Sequence, residues 1–213
     1  MAVRMTLDHL VYGVPDLADA MDEFAGRLGC APQPGGRHEG LGTHNAILPL
    51  AGEVYVELIA RDPDAPDPNQ PRPFGLDQLE GPRLITWAVR SRSIEADTEA
   101  ARERGFDPGP VLAMSRRAPT GELLEWKLTL RAKPFGAGLL PFVIDWEGTP
   151  HPAASPPEGR NGLRLAEFSA SHPDPQSIRD ALAALGVELK VESGPEPSLS
   201  AKLEGPKGDL LLQ

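Results

Sequence analysis

Three times along this chain an apolar strand runs into a capped helix that a glycine ends, and the three helix-ending glycines, Gly29, Gly105 and Gly186, are almost evenly spaced. After each helix the spacing leaves room for roughly three strands of ordinary length, so the repeating unit is expected to be β-α-β-β-β. In the first copy the strand covers residues 7–14. Asp16 is placed to cap the helix, and Leu17, Met21, Phe24 and Leu28 form its apolar stripe. The second copy has its strand at 84–90, Ser93 at the cap and Ile94 in the first turn; the third has a strand at 163–170 followed by Asp174-Pro175. Period two in the first strand puts Leu10, Tyr12 and Val14 under the helix and His9, Val11 and Gly13 on the opposite face, which leaves His9 available for chemistry.

Further strands are read at 45–49 and 54–60 in the first unit, joined by Ala51-Gly52, and at 110–116 and 123–130 in the second, joined by Pro119-Thr120-Gly121. Prolines at 63, 66, 68, 71, 73 and 82 make 61–83 a surface crossover. The connection 131–161 holds an apolar stretch, 139–146, and then Pro150-His151-Pro152, and is expected to lay one strand and an ordered loop against the sheet. The domain reading is therefore 1–130 as a two-unit domain (units 7–60 and 84–130), 131–162 as a connecting strand and loop, and 163–213 as a third βαβββ-like unit.

Composition excludes several partners. The 213 residues are 40% hydrophobic but contain no apolar run near the roughly 18 residues of a membrane span. A net charge of −10 with no cluster of Lys and Arg leaves nothing to neutralise phosphates along a nucleic acid. Residues 1–5 lead into the first strand without an apolar leader, and the single cysteine, Cys30, reads as a small packing residue; both predict a cytoplasmic protein. The expected partner is a small-molecule ligand.

The paired units, with D-H-L-V-Y-G-V-P-D-L in the first strand and Y-V-E-L-I-A in the fourth, resemble the vicinal oxygen chelate superfamily, in particular its glyoxalase-like branch alongside the bleomycin-resistance and extradiol dioxygenase types. The resemblance implies an α+β fold in which two βαβββ units curl a sheet around a cleft. It also implies a divalent metal, Fe, Mn, Zn, Ni or Co, on side chains from the first and last strand of each unit. Carried over position by position, the ligands are His9, Glu57 and Glu125, with Leu84 at the fourth position, where no donor is present. Such a metal acts as a Lewis acid on a substrate with adjacent oxygens, in a lyase, isomerase or oxygenase reaction. The alternative is a cleft without metal, Lys127 balancing the acids, that sequesters a ligand of the antibiotic or toxin type.

Other polar residues gather near the same expected cleft. His44 is a candidate base or a turn cap; Arg116 and Arg117 either clamp an anionic substrate or make surface salt bridges. His151 would suit a lid over the substrate, and Lys127 and Glu125 share a face with Leu123 and Thr129 that is read as pointing inward. Trp87, Trp126 and Phe24 are assigned to the core, and His38 and His172 to loops. The third unit carries Leu212 where a ligand-bearing copy has a glutamate, so no second metal site is expected there. Its sheet face needs a cover, either 131–162 or the same face of a second chain in a homodimer.

Overall fold

The computed structural model describes residues 5–38, 40–118, 121–131, 135–154 and 162–213; Pro119 and Thr120 of the expected turn, and the stretch before Met5, lie outside the described residues. The first unit consists of β1 (Thr6–Gly13), α1 (Leu17–Leu28), β2 (Gln33–His38), β3 (Thr43–Pro49) and β4 (Tyr55–Arg61). Asp16 caps α1 by accepting a hydrogen bond from Asp19 N at 3.0 Å, and Gly29 ends the helix at φ 77°, a left-handed conformation that favours glycine. β1 pairs in parallel with β4, so the local order is β1-β4-β3-β2.

The second unit repeats this order with β5 (Arg83–Arg90), α2 (Ile94–Glu103), β6 (Val111–Arg117), β7 (Leu123–Thr129) and β8 (Phe142–Asp145). Here β8 pairs in parallel with β5, as β4 does with β1. The stretch read as a connection therefore contains the last strand of the second unit, which extends past the expected boundary at 130. Ser93 stands at the start of α2 but makes no side-chain capping bond; Asp145 of β8 accepts from Ile94 N at 3.3 Å instead. The two units meet along β1 and β5 and again at Arg37 and Arg117, and the curved sheet they share closes into an eight-stranded barrel.

β9 (Arg164–His172), α3 (Pro175–Leu185), β10 (Lys190–Ser193), β11 (Ser198–Gly205) and β12 (Gly208–Leu212) follow the element order expected of a third unit. Their pairing differs. β10 joins β9 directly and in parallel, and β11 takes the other edge of β9, giving a separate sheet in the order β10-β9-β11-β12. Leu199, Leu203 and Leu212 of this sheet and Ile178 and Leu182 of α3 share one buried core with Leu10, Phe24, Leu28, Trp87 and Ile94. The face that needed a cover is thus packed within the chain, against α1 and β5, with α2 against α3 and Leu139, Leu140 and Val143 in the same core, while Glu167, Ser200, Lys202 and Asp209 line the outer side. Backbone bonds sew the layers together: Leu84 N donates to Gln213 O at 2.7 Å and Lys207 N to Leu28 O at 3.2 Å.

Two glycines report on this seam in opposite directions. A Cβ on Gly205 would lie 2.6 Å from Leu28 O and 2.9 Å from Leu28 Cβ, whereas one on Gly26, inside α1, meets nothing within 4 Å. Gly205→Ala is expected to cost about 1–3 kcal/mol through overpacking. Gly26→Ala should add about 0.5–1 kcal/mol through helix propensity and reduced unfolded-state entropy. Urea unfolding of both variants checks the pair.

Candidate functional site

A β-bulge decides the chemistry of the barrel interior. Between Leu7 and His9 the pairing of β1 with β5 slips by one residue, so Asp8 and His9 are both buried, at 0% and 2% exposure. Asp8 Oδ1 lies 2.7 Å from His9 Nδ1, while Asp8 Oδ2 accepts from Arg90 Nε at 2.7 Å and Trp146 Nε1 at 3.2 Å and lies 3.2 Å from His151 Nε2. Burial by itself raises the Asp8 carboxyl, but the hydrogen bonds from His151 and His9 outweigh it and hold the group far below the usual carboxylate range. An ionised Asp8 beside Nδ1 favours the His9 tautomer that carries its proton there, the arrangement in which Nε2 presents a lone pair to the interior.

Nε2 of His9 is 3.8 Å from Glu57 Oε2. Asn45 Nδ2 donates to Glu57 Oε1 at 2.5 Å, and His38 Nε2 is 3.9 Å from the same oxygen. His38 is itself held by Thr43 Oγ1 at 2.9 Å, and burial pushes its pKa below the ordinary value against the pull of Glu57. The His9 ring stacks on Tyr55, with centroids 4.5 Å apart, and meets the edge of Phe142. Burial raises the Tyr55 phenol well above its ordinary pKa, so it stays protonated.

These groups open into a narrow cavity of about 70 Å³ inside the barrel. The rest of its wall is largely apolar, with Ile47, Met114, Trp126, Leu128, Phe142 and Trp146 among the lining residues. Arg116 enters from β6, buried at 7% exposure, its guanidinium donating to Gly35 O. No carboxylate lies within ion-pair distance of it among the described residues; burial lowers its pKa, and the charge of Glu57 opposes that shift.

The structure brings together His9, Glu57 and Arg116 and separates the other expected site residues from them. Glu125 is exposed on the outside of β7, where its backbone bonds to Thr149. Lys127 lies on the same outer face, in ion pairs with Glu95 at 2.9 Å and Glu147 at 2.6 Å. The inward face of β7 is Trp126 and Leu128, in keeping with the largely apolar cavity wall. His44 points away from the interior into a surface groove beside Asp16 and Asp62, since its neighbours Thr43 and Asn45 are the buried ones on β3. Arg117 is exposed and its guanidinium donates to Gly121 O at 3.5 Å. His151 does not line the cavity; it packs behind it, on Asp8, Tyr55 and Trp146. Leu84, expected to face inward, belongs to the outer core, and a second slip in the β1–β5 register puts Ile85 inside with Val11 and Ile59. Asp8, His38 and Asn45 were not singled out by sequence reasoning; an acid next to a histidine within an apolar strand was the one available signal.

A metal held by His9, Glu57 and Glu125 does not fit this arrangement, because Glu125 lies on the outer face of β7. The second unit offers Ile85 on β5 and Phe142 and Ile144 on β8, and Glu57 Oε1 is already engaged by the Asn45 amide. Among the described residues no group of three His, Cys, Asp or Glu side chains is set to hold a metal ion. The expected result of elemental analysis is less than stoichiometric metal. Added Mn, Fe, Co, Ni or Zn should leave the melting temperature in place, whereas a site filled at a hundredfold its Kd would contribute about 2.7 kcal/mol. Glu125→Gln should leave ligand responses unchanged.

A family model described as a glyoxalase-like domain matches residues 7–186. No curated protein matches the chain. Among solved structures, a hypothetical protein from Staphylococcus aureus superposes with a TM-score of 0.67 at 12% identity, covering 98% of this chain and 99% of that one. Methylmalonyl-CoA epimerase from Mycobacterium tuberculosis gives 0.46 at 20% identity over 73% of this chain and 97% of its own, and the Streptomyces coelicolor epimerase (S115T) in complex with 2-nitronate-propionyl-CoA gives 0.47 at 17% identity over 70% and 100%.

Proposed function

Because this chain belongs to the glyoxalase-like domain family, matched over residues 7–186, we propose that its barrel cavity takes a small molecule with adjacent oxygens and that His9 moves a proton at a carbon or oxygen next to a carbonyl. The observation that carries the reading is the Asp8–His9 pair: a buried acid 2.7 Å from Nδ1 orients the ring so that Nε2 stands at the cavity wall, where it can act as the base. Divalent metals are common in the superfamily, but the donors here come from one unit only, and the step is assigned to protein groups alone. Arg116 supplies fixed positive charge toward an anionic oxygen of the ligand, and Asn45 holds Glu57 in place beside His9. The apolar walls exclude water, which strengthens both interactions.

Proton nuclear magnetic resonance in deuterated water tests this. With pyruvate, lactate or dihydroxyacetone as probes, the protein should accelerate exchange of hydrogens next to the carbonyl or hydroxyl and should raise the melting temperature. Neither effect with any of the three would remove the reading. Binding without exchange would favour a non-catalytic binding protein, a reading that the absence, among the described residues, of acid and imidazole groups on the second unit's share of the cavity lining and the engagement of Glu57 by Asn45 also support.

A further inference from the structure

The inner cavity shares a wall with a larger chamber. Pro73, Phe74, Leu130 and Phe142 line both, the inner space being about 70 Å³ and the outer about 540 Å³. The division is made by Phe74, whose ring stacks on Phe142 with centroids 5.6 Å apart, while Phe142 in turn meets His9 at 5.4 Å. Phe74 is held at φ 59° and ψ 16° and is followed by Gly75 at φ 73°. A bulky residue in the left-handed region is strained, and such strain persists only where the surroundings impose it.

Its surroundings do so from both sides. Arg72 is pinned by Gly42 O at 2.9 Å, Asp77 at 2.7 Å and Asp67 at 2.8 Å, and Leu76 is buried at 3% exposure. Between these anchors only Pro73, Phe74 and Gly75 can turn, and a change at Gly75 is sterically free. Ligand sites are typically about 300–1,000 Å³, a range that the outer chamber reaches and the inner cavity does not.

We infer that the two spaces are one binding site divided by Phe74, and that its ligand has an oxygen-rich acidic head for the inner cavity and an apolar body that lies in the outer chamber when the Phe74 ring swings aside. This rests on the proposed function for the head group. The outer chamber suits such a body: Phe106, Pro108, Leu140 and Pro141 supply apolar surface, although Arg72, Arg131, Gln70, Gln78, Thr86 and Thr129 line it as well.

Acrylamide quenching of tryptophan fluorescence tests the gate without any ligand. Trp126 and Trp146 line the inner cavity, whereas Trp87 is fully buried in the other core and stays dark to the quencher. Phe74→Gly, which suits the backbone conformation, should raise the Stern–Volmer constant at least threefold at an unchanged melting temperature, with Phe74→Leu between it and the parent. No increase would overturn the gate. Calorimetry on the unmodified protein tests the outer chamber: 2-oxooctanoate should bind at least tenfold more tightly than pyruvate, which carries the same head alone. Equal affinities, or no binding of the longer acid, would overturn the two-part site. Proton exchange on pyruvate, measured separately, reports on His9 and keeps a failure of that reading distinct from a failure of this one.

Discussion

Asp8→Ala is expected to lower unfolding stability by about 3–5 kcal/mol, the range for removing one partner of a buried charged network. The side chain is 0% exposed and has four partners on three segments: His9 on its own strand, Arg90 on β5, and Trp146 and His151 in the loop after β8. Its loss leaves the Arg90 cation, 22% exposed, with only Glu53 as an acidic partner, and leaves the Trp146 N–H without its acceptor. Urea unfolding at pH 7 measures the loss. The pH dependence has a definite sign. The folded Asp8 carboxyl titrates far below its unfolded value of about 3.9, so the stabilisation is present above that pH and fades as acid protonates the unfolded chain first. The stability difference between the parent protein and Asp8→Asn should therefore shrink from pH 5 to pH 3. A difference that stays constant over that span would contradict the assignment.

His9→Gln should slow hydrogen exchange on the substrate by about 10²- to 10⁴-fold, the usual contribution of a positioned general base. Glutamine keeps hydrogen-bonding capacity in a similar volume but has no basic nitrogen, so the variant separates proton transfer from binding. The ring also stacks on Tyr55 at 4.5 Å, and the substitution forfeits about 0.5–1.5 kcal/mol of that contact, measurable as a modest drop in unfolding midpoint. Asp8→Asn should slow exchange as well, because an amide no longer dictates which ring nitrogen of His9 carries the proton. An unchanged rate in His9→Gln would move the chemistry to another group.

Much of the frame was legible because it follows from local pattern. Alternation in β1 placed Leu10 and Val14 under the helices and His9 and Val11 in the barrel, and the caps at Asp16, Gly29, Asp174 and Gly186 stand where expected. What escaped has three physical causes. A bulge adds a residue that a strict period of two does not count, and so Asp8 was hidden beside His9. The interior is apolar, so β7 turns Trp126 inward and Glu125 outward, the reverse of what a polar cleft would require. The last strand of the second unit starts only at Phe142, with twelve residues between it and the end of β7, which made β7 look like the final strand and Glu125 like a ligand. β2 was missed because Pro34, Gly35 and Gly36 disguise a strand as a loop, and His38 at its end was passed over with it.

The inequality of the two halves has a consequence for how the cavity could change. The imidazoles, the amide and the carboxylate that line it stand on the first half, while the second contributes Arg116 and a wall of Met114, Trp126, Leu128, Phe142 and Ile144. Shape is thereby uncoupled from reactivity: swapping aliphatic and aromatic side chains on β6, β7 and β8 would recast the mould around a guest while the imidazole and its acidic neighbours stay put.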